Sequence, residues 1–376
     1  MLRILVIGMF SVVVLIGFSA VFMDMRYGGG EAFPDRSSDA SQPTSALGVV
    51  TELDYPPGNI AVSESGRIFF SFHPEGNPEY NLAELIDGEA QPLQFSSDEP
   101  IDLQSVLSLR IDQKNRLWLL DYANHGHGQP KIVAIDLTTM NIVHRYEFHS
   151  DIAGLGSHLN DFQVSHDGKR IYIADASILG LNPALIVYDV ESQTARRTLA
   201  NHASVEADHY IPVVDGEKML MFGVFAIRPG VDSIALDRNE EWLYFAPVTD
   251  EHLHRVRVAD LDNIYLGPQE LAARVEVFAE KTMSDGLTTD NEGNIYISAL
   301  EHSAIIKMSP QGEMKTLIKD ERLRWPDGFS FGPDGKLFVT SSALHHVIMK
   351  PDSYIAQNGP YHIFSYDTGN TATAGH

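Results

Sequence analysis

Residues 283–308 read MSDGLTTDNEGNIYISALEHSAIIKM. An acidic residue, Asp285, stands just before a short apolar run. A turn built on Asn291, Glu292 and Gly293 follows, then the alternating strand at 294–297. A second turn, Glu301-His302-Ser303, leads into a third strand at 304–308. Short strands bounded by Gly, Asn and Asp turns mark an antiparallel meander. Residues 325–347, WPDGFSFGPDGKLFVTSSALHHV, repeat the order, with Asp327 where Asp285 stands. Residues 231–256 are a third copy carrying Asp232, residues 158–177 a fourth carrying Asn160-Asp161, residues 108–122 a fifth and residues 57–72 a sixth. Asp285 and Asp327 are 42 residues apart, and Asp232 and Asp285 are 53 apart. Multi-stranded repeats at about 40–50 residues indicate a propeller. No single copy can bury its own sheet faces, so the copies are stable only as a closed ring. The expectation is an all-β, six-bladed propeller over residues 49–368. Residues 1–25 would be a signal peptide or membrane anchor, 26–48 a flexible linker and 369–376 a disordered tail.

The interval from Asn160 to Asp232 is 72 residues, longer than its neighbours. The excess lies between Leu199 and Arg228, which predicts an elaborated loop over one face of the ring, where loops of that length commonly serve function. The strand at 361–366 (YHIFSY) reads as the one that closes the ring. Residues 4–23 carry no charge, follow Arg3 and precede Asp24. Twenty apolar residues are the threshold for a bilayer span and also suit a secretory signal. Either way the propeller lies outside the cytoplasm, secreted or periplasmic, with the membrane reached only through that segment.

The chain has 27 Lys+Arg against 51 Asp+Glu, a formal charge of −24. Such a surface repels phosphate backbones and argues against nucleic acid as a partner. Cysteine is absent, which removes disulfides, thiolate nucleophiles and zinc–thiolate sites. There is no Ser/His/Asp order, P-loop or HExxH motif.

In a propeller the start of each innermost strand lines one mouth of the axial channel. Asn160, Asp232, Asp285 and Asp327 hold equivalent places in four repeats and are therefore expected to converge. An Asp before Gly also caps its own backbone in turns, so each residue has a local explanation as well. Three carboxylates and an amide together suit a cation, either calcium with its six to eight oxygens or an amine-bearing ligand. A metal would fall to Asn160, Asp232 and Asp285. Asp285, Asp327 and His158 are the candidate catalytic groups, and Tyr122 is a candidate to stack on a planar ligand. His125 and His127 form a His-x-His pair in a loop, readable as zinc or copper ligands or as exposed side chains. His73 lies near an inner strand. His302 and His345-His346 sit in turns expected to face outward, and Trp118, Trp242 and Trp325 are expected to pack between blades.

The segments PGNIAV (57–62), LWLLD (117–121), PKIVAIDL (130–137), Leu159-Asn160-Asp161, SDGL (284–287) and WPDG (325–328) resemble the Yellow/major royal jelly protein family, in its bacterial branch, from about Val49 to Tyr366. The resemblance implies a six-bladed propeller, usually exported, with a ligand pocket in its axial channel. It brings with it dopachrome conversion or binding of biogenic amines, and a distant similarity to the calcium-dependent gluconolactonase and regucalcin propellers. Lactonase-type members place a Glu in the first repeat where this chain has Gly58-Asn59, a departure from their metal site. The expected function is binding of a small polar or amine-bearing molecule in an acidic channel. The alternatives are a metal-dependent lactonase-like hydrolase, a dopachrome-type tautomerase, or a protein-interaction platform.

Overall fold

A computed structural model of the chain describes residues 14–22, 28–97, 100–333 and 335–375. Six four-stranded antiparallel sheets follow one another along it. The innermost strands are Pro57–Val62, Val106–Ile111, Leu159–Val164, Val231–Leu236, Ser284–Thr289 and Pro326–Phe331. Each packs on the next, and the sixth packs on the first, so the blades close into a ring. The two inner strands of each blade are buried almost throughout because neighbouring blades cover both faces, with apolar runs such as Leu117–Leu120 and Ile171–Ala174. The outermost strand of blade 2, Asn141–Glu147, alternates exposed and half-buried residues instead. Between the first two strands of a blade, a tight turn is capped by a small polar side chain. Asp112 Oδ1 accepts from the Arg116 amide at 3.0 Å, Asp237 from Trp242 at 2.8 Å and Asp290 from Asn294 at 2.9 Å. These are the backbone-capping aspartates, and they lie at the far end of the inner strands from Asp232, Asp285 and Asp327.

Ring closure differs from the expectation. Tyr361–Asp367 is the third strand of blade 6, and the fourth is Leu47–Leu53, paired antiparallel to it from Leu47↔Tyr366 to Leu53↔Tyr361. The strand that precedes the first repeat along the chain therefore finishes the last blade. Hydrogen bonds between the two ends of the domain seal the ring.

Both flanks are also more engaged than composition suggested. Glu31–Ala32 pairs in parallel with Tyr210–Ile211, Phe33 is buried, Arg36 forms ion pairs with Glu251 and Glu280, and the Ser38 amide donates to Thr316 Oγ1 at 2.9 Å. The stretch expected to be a spacer is thus laid against the ring. At the other end the Gly375 amide donates to Phe331 O at 3.2 Å, and Asn370 Nδ2 donates to Asp290 Oδ2 at 2.5 Å. The expected disordered tail crosses the ring face opposite the cavity described below. Of the apolar run 4–23, residues 14–22 are helical and exposed, and the rest lies outside the described residues. Among the described residues no helix is long and apolar enough to cross a membrane.

Candidate functional site

Every innermost strand begins with a break in register against its neighbour, between 57/60, 106/108, 159/162, 231/233, 284/287 and 326/329. Such bulges re-aim side chains at the rims of closed β structures. The second residue of each strand is Gly58, Leu107, Asn160, Asp232, Asp285 or Asp327, and all but Gly58 line one cavity of about 490 Å³. Gly286, which follows Asp285, cannot carry a side chain because a Cβ there would meet Asp327 O at 1.9 Å. Close approach of neighbouring inner strands is what brings the carboxylates together.

Each of the three aspartates is held by a side chain from elsewhere, not by its own turn. Asn160 Nδ2 donates to Asp232 Oδ1, Trp325 Nε1 to Asp285 Oδ2 at 2.5 Å, and Ser342 Oγ to Asp327 Oδ2 at 2.8 Å. One residue deeper, Asp161 accepts from Asn59 Nδ2 at 2.6 Å and Ser108 Oγ at 3.0 Å. Arg110, also buried, donates to Asn59 Oδ1 at 2.6 Å and stands 3.7 Å from Asp161 Oδ1. Burial and mutual repulsion raise Asp232 and Asp327 well above the ordinary carboxylate range, and burial, aided by Asp161, takes Asp285 to about 7. Burial also raises Asp161, against the pull of Arg110. Four buried acids facing one guanidinium must hold protons or take up a cation.

Histidines form another wall. His73, His125 and His158 line the cavity with Glu75. His158 Nδ1 and His125 Nδ1 are 3.0 Å apart, and His125 Nε2 lies 3.7 Å from Glu75 Oε1. Burial keeps His73 near 4 and His158 well below its usual value, while the contact with His125 lowers Glu75. Residues 123–126 form a left-handed turn, with φ of 49, 50, 56 and 71°. Left-handed backbone costs about 1–2 kcal/mol for each non-glycine residue, and here it turns His125 inward. Trp325, beside Asp285, is likewise held at φ 52°.

The elaborated loop occupies residues 199–230 and carries two small hairpins, Val213–Val214 with Glu217–Lys218 and Leu220–Met221 with Phe225–Ala226. It covers the cavity as an apolar lid of Pro212, Met221, Phe222, Phe225 and Ile227. Phe222 is 73% exposed at the rim, although large aromatics usually seek cover. The Val213 amide donates to Glu301 Oε1 at 2.7 Å, and the Tyr210 hydroxyl hydrogen-bonds Glu251. The N-terminal segment and the lid thereby brace each other on the ring.

Asn160, Asp232, Asp285, Asp327 and His158 share the cavity, but Tyr122 does not. It is buried behind His158, stacked on it at 4.5 Å, and is unavailable to a ligand. His127 is exposed, so the His-x-His pair does not act as a unit. His302 is half-buried against Asp35 at 3.1 Å. His345 is buried, contrary to the outward placement expected of it. Trp325 is a cavity residue as well as a packing one, and Arg110 and Glu75 had no recognisable signal in their own repeats. The residues fit a calcium ion only incompletely. Among the described residues the ligand atoms of Asp232, Asp285 and Asp327 do not close to within 4.8 Å of one another, whereas a calcium shell draws its oxygens to 2.3–2.6 Å from the ion. At the first-repeat position, a Cβ on Gly58 would meet Ser71 Oγ at 2.7 Å and Leu107 Cδ1 at 3.0 Å.

No curated protein sequence matches the chain. Solved structures with the same fold include the calcium-binding protein regucalcin from Agrobacterium tumefaciens (16% identity, TM-score 0.55, covering 87% of this chain and 94% of that one). A luciferin-regenerating enzyme is similar at 12% identity and TM-score 0.57, covering 88% and 97%. A gluconolactonase from Xanthomonas campestris is similar at 13% identity and TM-score 0.54, covering 90% and 97%. At these identities the likeness establishes the propeller alone. The family model for major royal jelly protein matches residues 104–365, which takes in five of the six innermost strands and Asp161, Asp232, Asp285 and Asp327, though not Glu75. The chain belongs to the major royal jelly protein family.

Proposed function

We propose that this propeller binds a small molecule with an ammonium group and an apolar body, the ammonium on Asp232, Asp285 and Asp327 and the body under the lid. The carrying observation is the pairing of a cation-deficient carboxylate floor with an apolar roof in one cavity of about 490 Å³. That volume lies within the roughly 300–1,000 Å³ of small-molecule sites. An ammonium donates charge-assisted hydrogen bonds of about 2.8 Å to carboxylates, and its apolar body gives the lid a surface to cover that a bare ion lacks. Titration calorimetry with arylalkylamines tests the reading, with neutral isosteres and calcium as controls. The ammonium must displace the proton that Asp285 holds below about 7. Affinity is therefore expected to fall by up to about tenfold per pH unit below 7. Equal binding of amine and neutral isostere, or of amine at pH 5 and pH 8, would overturn it.

The histidine wall favours a second reading, proton transfer on the bound amine. Neutral His158 can accept a proton from a ligand C–H and, with His125 and Glu75 beside it, return it to a ligand oxygen, so that the isomer forms with no net change in protons. His158→Gln would then remove turnover in a dopachrome-type isomerisation assay and leave amine affinity within about threefold. If turnover is absent from the unsubstituted protein, binding stands alone. The uncharged run behind Arg3 supports export, which a reporter fused after residue 48 tests directly.

A further inference from the structure

A cluster away from the channel floor ties the lid to blade 6. Asp215 occupies the turn of the lid hairpin between Val213–Val214 and Glu217–Lys218. His345 and His346 lie in the short helical turn Leu344–His346 of blade 6. The three offer one ligand atom each, all within 4.8 Å of one another, and His345 Nε2 stands 3.2 Å from Asp215 Oδ2. His345 is only 5% exposed, yet its Nδ1 has no hydrogen-bond partner and its Nε2 has only the Asp215 carboxylate beside it. A buried imidazole left in that state is costly. The other charged groups around the cluster are Arg324, Lys350 and Glu217. His346 Nδ1 is 3.1 Å from the Tyr354 hydroxyl, which leaves Nε2 as its ligating atom. An outer hydrogen bond of this kind orients metal-binding histidines.

We propose that Asp215, His345 and His346 bind a borderline divalent ion of the zinc class, which clasps the lid to the ring. Two imidazoles and one carboxylate suit zinc and not calcium, which takes oxygen ligands. The clasp borders the cavity. Leu344, Ile348 and Met349 line the cavity, and His345 stacks on Trp325 with ring centres 6.4 Å apart. Trp325 in turn donates to Asp285, so the ion sets the lid and one channel carboxylate together. The proposal is independent of what the channel binds.

The test uses the full chain without a polyhistidine tag. Competition against a chromophoric chelator is expected to show one tightly held zinc per chain, and cobalt in its place a visible ligand-field spectrum. Asp215 is exposed, so Asp215→Asn spares the fold. It should weaken zinc binding at least about tenfold, as should His346→Gln, and Tyr354→Phe should weaken it by about tenfold through the outer contact. Zinc should slow amide exchange across residues 213–226 in the unsubstituted protein and leave it unchanged in Asp215→Asn. Asp285→Asn leaves all three ligands in place and should keep the zinc stoichiometry. Failure to take up zinc, uptake indifferent to Asp215→Asn and His346→Gln, or uptake lost in Asp285→Asn would each overturn the proposal.

Discussion

Asp285→Asn is expected to make the ligand-free protein more stable than the unsubstituted one at pH 8, while removing its affinity for amines. Asp285 carries a pKa of about 7 in the folded chain against 3.8 in the absence of its surroundings. The folded state therefore holds a proton that the unfolded state has lost between those values. Stability from this group is complete below about 3.8 and is lost as pH rises to about 7. From pH 5 to pH 7 that is two units at 1.36 kcal/mol each, so the advantage of the variant should grow by about 3 kcal/mol over this window and level off above it. His73, His158 and His345 titrate in the opposite sense, since burial keeps them neutral when folded. They are present in both proteins and cancel in the difference. Asparagine can still accept the Trp325 indole N–H, so the hydrogen bond survives while the charge goes. Repulsion on Asp232 and Asp327 is relieved as well. Binding should fall more than a hundredfold, because a charge-assisted contact is replaced by a neutral one in a buried site. Thermal melts at pH 5 and pH 8 with parallel calorimetry decide the matter. A variant less stable than its parent at both pH values would make Asp285 a structural acceptor and nothing more.

A site that destabilises its own empty protein points to function, and the parts of it legible in the sequence are those that repeat. Asp232, Asp285 and Asp327 announce themselves because the same bulged position recurs, and the ring converts matching positions into neighbours. Gly58 and Leu107 occupy that position in the first two blades and carry no acid, so repetition alone would have overstated the cluster. Residues that act across repeats leave no local trace. Arg110 reads as one charged residue within an apolar inner strand, and its partner Asp161 comes from the next blade. Glu75 and His73 sit in an irregular turn whose facing toward His125 depends on three left-handed residues that no propensity predicts. His345 was placed outward by analogy with the polar turn at 301–303. The lid hairpin that buries it is inserted some 130 residues earlier. The linker reading of residues 26–48 rested on Gly, Ser and Pro content, and strand pairing with Tyr210–Ile211 overrides composition there.

Arg110→Met should be the most damaging single change beneath the cavity. The guanidinium is 2% exposed and donates to Asn59 Oδ1 and to the Leu109 carbonyl at 2.9 Å, and it faces Asp161. Methionine fills much of the same volume, so the loss is chiefly electrostatic. Asp161 would be left with hydrogen bonds but no counter-charge, and Asn59 Oδ1 would lose its strongest donor. Removing one member of a buried ion pair costs about 3–5 kcal/mol, against a total stability of about 5–15 kcal/mol in a typical fold. Two further measurements separate this account from simple misfit. Adding Asp161→Asn to Arg110→Met should restore part of the loss, because the orphaned charge is gone, and the coupling in the double-mutant cycle should exceed about 1 kcal/mol. An added cation should also stabilise Arg110→Met more than the unsubstituted protein, since the floor then lacks its internal one. A denaturation midpoint nearly unchanged by Arg110→Met would mean that the acids are already neutralised by protons alone. The carboxylate floor would then offer a cation no charge to meet.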